Sequence, residues 1–210
     1  MINTEMQKRI LTSIILFTLL VCMYSYIYVL IIALILVSSI SWIEFYALTS
    51  KIFKKETTKN IFLRFFCKSG SLLYLFFFSF IIIQLKLKNI GAEIFIVYSV
   101  MICITSDIGG LLIGRFFKGK KLTQVSPNKT ISGSIGSFVF SLLLIPFFYK
   151  HFNNHEVASI IVITLLISFT SQIGDLFVSL LKRKAKVKDT GDLLPGHGGF
   201  LDRIDGIIFA

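Results

Sequence analysis

Two acidic residues, Asp107 and Asp175, interrupt otherwise apolar stretches of the chain. A carboxylate inside lipid is costly, so such a residue usually faces a polar cavity, an ion or a partner side chain. Arg115 follows Asp107 by eight residues, and Lys182 follows Asp175 by seven. At the helical rise, each acid would lie about 10–12 Å below a basic loop. We predict that both acids line a polar pocket opening towards these loops; the simpler interpretation is an ion pair with Arg115 or Lys182.

The segment at residues 182–205 concentrates cations, glycines and carboxylates. Five of the seven residues from 182 to 188 are Lys or Arg, and three of the four from 196 to 199 are Gly. Glycines let the backbone approach a ligand closely, with N–H groups available to phosphate oxygens. Asp202 and Asp205 carry hard oxygen donors, which Mg²⁺ prefers when phosphates complete its shell. These groups suit phosphoryl or nucleotidyl transfer, whereas the blander interpretation is a polybasic segment attracted to lipid headgroups.

The composition predicts that apolar helices position these groups. Of 210 residues, 55% are hydrophobic and 16% are charged, and the mean hydropathy is +0.82. A soluble domain of this size carries more charge, so we predict an integral membrane protein. The three cysteines have no metal-site spacing and are interpreted as small buried apolar residues.

We predict an all-α, polytopic fold with about six to seven transmembrane helices around a cytoplasm-facing polar cavity. About 20 apolar residues cross a bilayer, so residues 10–43 hold two spans that turn near residues 24–28. The later predicted spans are residues 69–85, 94–114, 130–149 and 157–181. A seventh helix would begin near Ile204 and is expected to be cut short at Ala210.

The charge distribution predicts the orientation of these helices. With this set of spans, 19 of the 22 Lys and Arg residues fall on one side, at the N-terminus and in loops around 51–68, 115–129 and 182–203. Cationic loops are retained in the cytoplasm, so this side should be cytoplasmic. Because the cations are divided among membrane loops rather than gathered on one soluble face, we predict no nucleic-acid partner.

One long pattern of fixed residues ends the chain: Ser179-x-Leu181-Lys182-Arg183-x4-Lys188-Asp189-x-Gly191-x2-Leu194-Pro195-x-His197-Gly198-Gly199-Phe200-x-Asp202-Arg203-Ile204-Asp205. Shorter motifs precede it: Asp107-x-Gly109, Gly114-Arg115, Lys121-Leu122, Ser126-Pro127-x-Lys129-Thr130-x-x-Gly133 and Ser171-Gln172-Ile173-Gly174-Asp175. Together they resemble the signature of phosphatidate cytidylyltransferases over roughly the C-terminal half. Ile43-Glu44-Phe45-Tyr46 is a weaker similarity in the second predicted span.

The resemblance implies a role for each matching residue. Asp175 and Asp202 would hold a catalytic Mg²⁺, supported by Asp205, and K⁺ is a further cation that the resemblance allows. The implied catalytic residues are Asp175, Lys182, Arg183, Lys188, Asp189, His197, Asp202, Arg203 and Asp205. His197 would contact substrate or simply occupy the glycine turn. The implied substrate-binding residues are Asp107, Arg115, Lys121, Ser126, Lys129, Thr130, Gly198 and Gly199.

The resemblance also implies a reaction and a location. CMP would pass from CTP to phosphatidic acid, giving CDP-diacylglycerol and pyrophosphate in phospholipid synthesis. Residues 1–90 would form N-terminal transmembrane helices, and residues 91–210 the catalytic region of the same membrane domain. The site would face the cytoplasm from a bacterial-type inner membrane. The expected partners are CTP, phosphatidic acid and membrane lipids, and the resemblance allows a homodimer.

Two positions depart from the family pattern and support an alternative. Ser132 and Val178 stand where the family usually has Glu, so the alternative is a catalytically weakened member acting as a lipid-binding or structural membrane subunit. A related enzyme that uses CTP with a different lipid phosphate also fits. A transporter ranks last. Transporters commonly show internal repeats and ionisable residues at the bilayer midplane, whereas this sequence shows no repeat and its two intramembrane acids lie towards one face.

Overall fold

The computed structural model describes residues 4–88, 91, 93–152, 156–193 and 198–210. The regular elements among these residues are helices, and an isolated antiparallel bridge joins Lys121 to Thr130. The α-helices are α1 (Thr4–Ser25), α2 (Ile27–Ile52), α3 (Thr58–Lys88), α4 (Glu93–Phe117), α5 (Ile131–Leu142), α6 (Ile145–Phe148), α7 (Val157–Ala185) and α8 (Leu201–Phe209). A short 3₁₀ helix spans Tyr149–His151. The predicted all-α class is confirmed.

Five stretches among the described residues are long and apolar enough to cross a membrane: α2, most of α3, α4, Ile131–His151 and α7. The chain is therefore a polytopic membrane protein, and the predicted count of six to seven spans was approximate. The predicted break between two helices within residues 10–43 is confirmed, because α1 ends at Ser25 and α2 begins at Ile27 with Tyr26 in an extended conformation; of these two helices, α2 is among the five candidate spans.

Two helix boundaries differ from the predicted spans for physical reasons. α3 begins at Thr58, eleven residues before the predicted start, so Lys59, Arg64 and Lys68 lie on a helix rather than in a loop. Between Thr58 and Lys88 there is no proline, so the helical hydrogen bonds continue beyond the apolar window. The predicted span at 130–149 is interrupted after Leu142, because Pro146 cannot donate a backbone hydrogen bond and its ring crowds the preceding turn.

The chain forms two compact units. The first contains Met1–Glu93 and Leu181–Ile204, and the second contains Ile94–Leu180 and Asp205–Ala210. In the first unit, Trp42 on α2 donates its indole N–H to the carbonyl oxygen of Lys68 on α3 at 3.1 Å. Ser38 and Ser79 share a hydrogen bond at 2.8 Å. Hydroxyl and indole contacts thus join α2 to α3.

In the second unit, glycines bring α4 and α5 close together. A Cβ added to Gly109 would lie 2.6 Å from the Gly136 carbonyl oxygen, and one added to Gly136 would lie 2.5 Å from Ile113 Cβ. Such spacing admits only glycine, which lets two apolar helices approach along their backbones. This close pair forms two walls of the cavity described next.

Candidate functional site

A cavity of about 650 Å³ lies in the second unit. Its walls come from α4, α5, α7 and the loop before α5. The lining residues are Asp107, Gly110, Leu111, Gly114, Arg115, Leu122, Asn128, Lys129, Thr130, Gly133, Ser134, Ser137, Gln172 and Asp175. The cavity therefore combines two carboxylates, two cations, hydroxyls and amides between membrane-spanning helices.

The two intramembrane acids, Asp107 and Asp175, both line this cavity. The Asp175 carboxylate forms an ion pair with the Lys129 ammonium group, and both side chains are about 30% exposed. Ser179 also donates a long hydrogen bond of 3.4 Å to Asp175 Oδ1. The ion-pair interpretation from the sequence named Arg115 or Lys182, whereas within the second unit the partner of Asp175 is Lys129.

The loop between α4 and α5 is folded so that Lys129 returns to the cavity. The Leu122 N–H donates to the Lys129 carbonyl at 2.8 Å, and the Ile131 N–H donates to the Lys120 carbonyl at 2.9 Å. Thr130 then caps α5 by accepting a hydrogen bond from the Gly133 N–H at 3.0 Å. A threonine N-cap satisfies an otherwise unpaired amide of the first turn. These backbone bonds fix the residue pair 129–130 at the cavity wall.

Neutral polar residues complete the cavity wall, and sequence reasoning assigned them no role. Ser134 donates to Gln172 Oε1 at 2.6 Å, and Ser137 donates to the Ser106 carbonyl at 2.7 Å. Ser106 and Ser168 lie 3.1 Å apart behind the cavity and are fully buried. The available signal was periodicity, because Ser168, Gln172 and Asp175 recur at helical spacing along one face of α7.

A second polar cluster lies in the first unit, around Asp202. Lys182 Nζ lies 2.6 Å from Asp202 Oδ1, and the two side chains are 18% and 9% exposed. The Thr190 N–H donates to Asp202 Oδ2 at 2.8 Å. Both oxygens of this buried carboxylate therefore have donors, one of them a cation.

Glu44 on α2 belongs to the same cluster and was not predicted as a site residue. It is 7% exposed and accepts hydrogen bonds from the Thr190 hydroxyl at 2.6 Å and from the Phe200 and Leu201 amides at 2.9 Å each. The signal was an acid inside an apolar span, and the weak similarity of residues 43–46 pointed to the same place.

The other predicted residues are distributed as follows. Lys121 and Ser126 do not line the cavity; Lys121 bridges Thr130, and the Ser126 carbonyl accepts from the Lys129 N–H at 3.1 Å. The side chains at positions 183, 188 and 189 are exposed, and Arg203 and Asp205 lie on α8. His197 lies outside the described residues.

The glycines of the long pattern have different roles. Gly198 has a φ of +81°, which a residue with a side chain rarely adopts. Gly199 is packed so closely that an added Cβ would meet Thr190, the Gly191 amide and Glu44. The backbone conformation therefore requires glycine at position 198, and the lack of space requires it at position 199.

The donor sets suit a hard divalent cation that phosphates help to bind. Among the described residues, no three His, Cys, Asp or Glu side chains cluster closely enough to hold a metal alone. Mg²⁺ usually takes only one or two protein carboxylates and completes its shell with water and substrate phosphates. In both Asp175 and Asp202, one carboxylate oxygen is paired with a lysine ammonium group, and a metal cation could occupy the same position. The residues therefore fit Mg²⁺.

The two residues that depart from the family pattern, Ser132 and Val178, are not among the residues that line the cavity. Val178 is 2% exposed on α7, and the Ser132 hydroxyl lies 3.1 Å from that of Thr130. Neither residue lines the cavity. The carboxylates that do line it, Asp107 and Asp175, are both present.

Comparisons with known proteins give one consistent family. The profile described as "Cytidylyltransferase family" matches residues 1–210. A protein named phosphatidate cytidylyltransferase from Staphylococcus haemolyticus (strain JCSC1435) is 40% identical over 118 residues, which is 55% of this chain and 45% of that protein. The protein of that name from Bacillus subtilis (strain 168) is 37% identical over 127 residues, covering 55% and 44%.

A third relative of the same name, from Staphylococcus aureus (strain COL), is 42% identical over 118 residues, again 55% of this chain and 45% of the relative. The matched region thus spans somewhat less than half the length of each of these curated relatives.

Proposed function

We propose a function for this chain from its family, because the chain belongs to the cytidylyltransferase family, whose profile matches residues 1–210. We propose that it transfers CMP from CTP to phosphatidic acid, giving CDP-diacylglycerol and pyrophosphate. The main support is the cavity of the second unit. Arg115 and Lys129 line it together with two carboxylates, and apolar helices form its walls. A lipid phosphate and a nucleotide phosphate both require cations, and the lipid tail requires an apolar approach.

The proposed reaction is a displacement at the α-phosphorus of CTP. A phosphate oxygen of phosphatidic acid forms a new bond to that phosphorus, and the bond to the bridging oxygen of the β-phosphate breaks with its electron pair. Pyrophosphate carries that pair away. Because the attacking oxygen is already anionic, no serine, cysteine or histidine nucleophile is needed. The chain's task is to neutralise and orient the phosphates, which is the main form of catalysis in such transfers.

The basic side chains supply this neutralisation in the proposal. Arg115 and Lys129 line the cavity, and Lys182 lies in the Asp202 cluster of the first unit. Arginine binds phosphate through a planar fork of donors, whereas lysine acts as a mobile point charge. We assign Arg115 to fixed phosphate orientation and Lys129 to charge compensation, because Lys129 already balances Asp175.

Mg²⁺ is part of the proposal, with Asp175 and Asp202 each as a ligand and Asp205 in support. When bound, the ion would neutralise phosphate charge and polarise the phosphorus centre. In the proposal, Lys129, the ion-pair partner of Asp175, and Lys182, the ion-pair partner of Asp202, contribute positive charge that neutralises phosphate. We further propose that the basic loops face the cytoplasm of a bacterial inner membrane, in accordance with the charge distribution.

The test is formation of a lipid product from labelled nucleotide. Protein purified in detergent is incubated with CTP labelled at the α-phosphate, phosphatidic acid and Mg²⁺, and label extractable into organic solvent is counted. We expect a labelled lipid that disappears without phosphatidic acid and in Asp175→Asn and Asp202→Asn. Folded protein that yields no labelled lipid would refute the proposed reaction. Label transferred to a polyprenyl phosphate but not to phosphatidic acid would refute the acceptor.

A further inference from the structure

We propose that Glu44 is a positioning residue that holds Asp202 and Lys182 in place for catalysis. The proposal rests on the proposed function for its catalytic part, and on the geometry of the first unit for its structural part. Glu44 lies on α2, whereas its three donors lie 146 to 157 residues later in the chain. One buried carboxylate therefore anchors the segment that carries the Asp202 cluster to a membrane helix.

The contacts of Glu44 explain why a carboxylate is needed. The amides of Phe200 and Leu201 stand at the start of α8, where backbone N–H groups have no partner within the helix. Glu44 accepts one of these amides at each oxygen, Phe200 at Oε1 and Leu201 at Oε2. A buried amide without an acceptor is destabilising, because it loses its hydrogen bond to water and gains none in the protein. A carboxylate can accept every donor, whereas the amide of glutamine turns its own N–H₂ towards one of them.

Thr190 connects Glu44 to Asp202. Its hydroxyl lies 2.6 Å from Glu44 Oε2 and 3.1 Å from Asp202 Oδ2. A hydroxyl has one hydrogen, so it donates to Glu44 at the shorter distance, and the Thr190 N–H serves Asp202 at 2.8 Å. Lys182 then completes the chain of contacts at Asp202 Oδ1. A shift of Glu44 is transmitted through Thr190 to the carboxylate that faces Lys182.

Two glycines leave room for this arrangement. A Cβ added to Gly191 would lie 2.7 Å from Glu44 Oε1, and one added to Gly199 would lie 2.9 Å from Glu44 Oε2. The backbone therefore closes around the Glu44 carboxylate on both sides. Groups that orient a metal ligand from behind typically change metal affinity or activity by about 10- to 100-fold when mutated, which sets the expected size of the effect.

The experiment compares Glu44→Gln with Glu56→Gln, which makes the same chemical change at an exposed loop position of the same unit. The first readout is hydrogen–deuterium exchange in the absence of Mg²⁺ and substrate. Exchange should accelerate in Glu44→Gln for peptides covering Thr190 and residues 198–202, and stay at the wild-type rate in Glu56→Gln. This readout requires no activity, so it tests the anchoring even if the proposed reaction fails.

The second readout is the Mg²⁺ concentration that gives half-maximal activity. A loss of folded protein lowers the maximal rate but leaves this concentration unchanged, whereas a misplaced Asp202 raises it. We expect a rise of about tenfold or more in Glu44→Gln. Thr190→Val, which removes the linking hydroxyl, should act in the same direction, and Thr190→Ser, which keeps it, should behave as wild type. The Thr190 pair also decides the question if Glu44→Gln fails to fold.

The outcomes separate the two proposals. Wild-type protein that transfers no CMP would refute the proposed function, and exchange rates would still decide the anchoring. Active wild-type protein whose Mg²⁺ dependence is unchanged in Glu44→Gln and Thr190→Val would overturn the positioning role. Exchange at Thr190 and 198–202 that is equal in Glu44→Gln and Glu56→Gln would overturn the anchoring itself.

Discussion

Lys129 is fixed in position by the folded loop and contributes its charge to the cavity. Backbone hydrogen bonds on both sides of it fix the loop, and its ammonium group pairs with Asp175 at the cavity wall. Removing this cation takes away the ion-pair partner of Asp175 and a positive charge from the proposed phosphate site. We expect Lys129→Met to lower kcat/KM for CTP about 10- to 100-fold, the effect of losing a charged hydrogen bond of about 1.5–3 kcal/mol.

The matched control for Lys129→Met is Lys120→Met, in the same loop. Lys120 is exposed and does not line the cavity, so kcat/KM should stay within about twofold of the wild-type value, as for a surface substitution. Steady-state rates over a range of CTP concentrations measure both variants. Equal losses in the two variants would show that overall loop charge, rather than the position of Lys129, is responsible.

Single residues could be predicted from the sequence only where their chemistry was unusual for their surroundings. Asp107 and Asp175 were recognisable because an acid in an apolar helix is rare, and the structure places both at one cavity. Ser134 and Gln172 were not, since neutral polar residues are common inside membrane helices. Glu44 was an acid of the recognisable kind, but its partners lie 146 to 157 residues later in the chain, which no local pattern reveals.

At the scale of elements, the close approach of α4 and α5 depends on glycine. A Cβ at Gly136 would meet Ile113 Cβ and the Gly109 carbonyl, so Gly136→Ala must push the two helices apart. We expect a loss of about 1–3 kcal/mol, as for other overpacked interiors, read as a lower apparent midpoint of thermal unfolding in detergent.

Gly70→Ala on α3 is the control for this change. Outside the neighbouring residues and the nearby backbone of α3, no described atom lies within 4 Å of an added Cβ there, so only helix propensity is altered, and alanine is favoured by about 1 kcal/mol. The midpoint should stay constant or rise. A fall as large as that of Gly136→Ala would indicate a general intolerance of glycine replacement and contradict the packing explanation.

The helices themselves were predictable, but their ends were less so. Apolar windows located α4 and α7 to within a few residues, because about 20 apolar residues define a span. They misplaced the start of α3, since hydrophobicity marks the part of a helix in lipid and not the whole hydrogen-bonded helix. The break after Leu142 was overlooked although Pro146 is a clear helix-breaking signal.

For the whole molecule, the distribution of cations predicts a single orientation. In a variant with Cys22, Cys67 and Cys103 replaced, a cysteine at Lys150 should react with a membrane-impermeant thiol reagent added to intact spheroplasts. Cysteines at Lys54 or Lys120 should react only after the membrane is permeabilised. All three native side chains are exposed, so accessibility depends on the side of the membrane. Labelling of Lys54→Cys or Lys120→Cys in intact cells would contradict the orientation.

The proposed reaction cleaves CTP between its α- and β-phosphates and keeps the α-phosphate on a lipid. The most direct measurement is one reaction run in parallel with CTP labelled at the α- or the γ-phosphate, in the presence of phosphatidic acid and Mg²⁺. We expect the α-label in the lipid fraction and the γ-label in pyrophosphate, in equal molar amounts. Release of γ-label as inorganic phosphate, or α-label that stays in water-soluble nucleotide, would contradict the account.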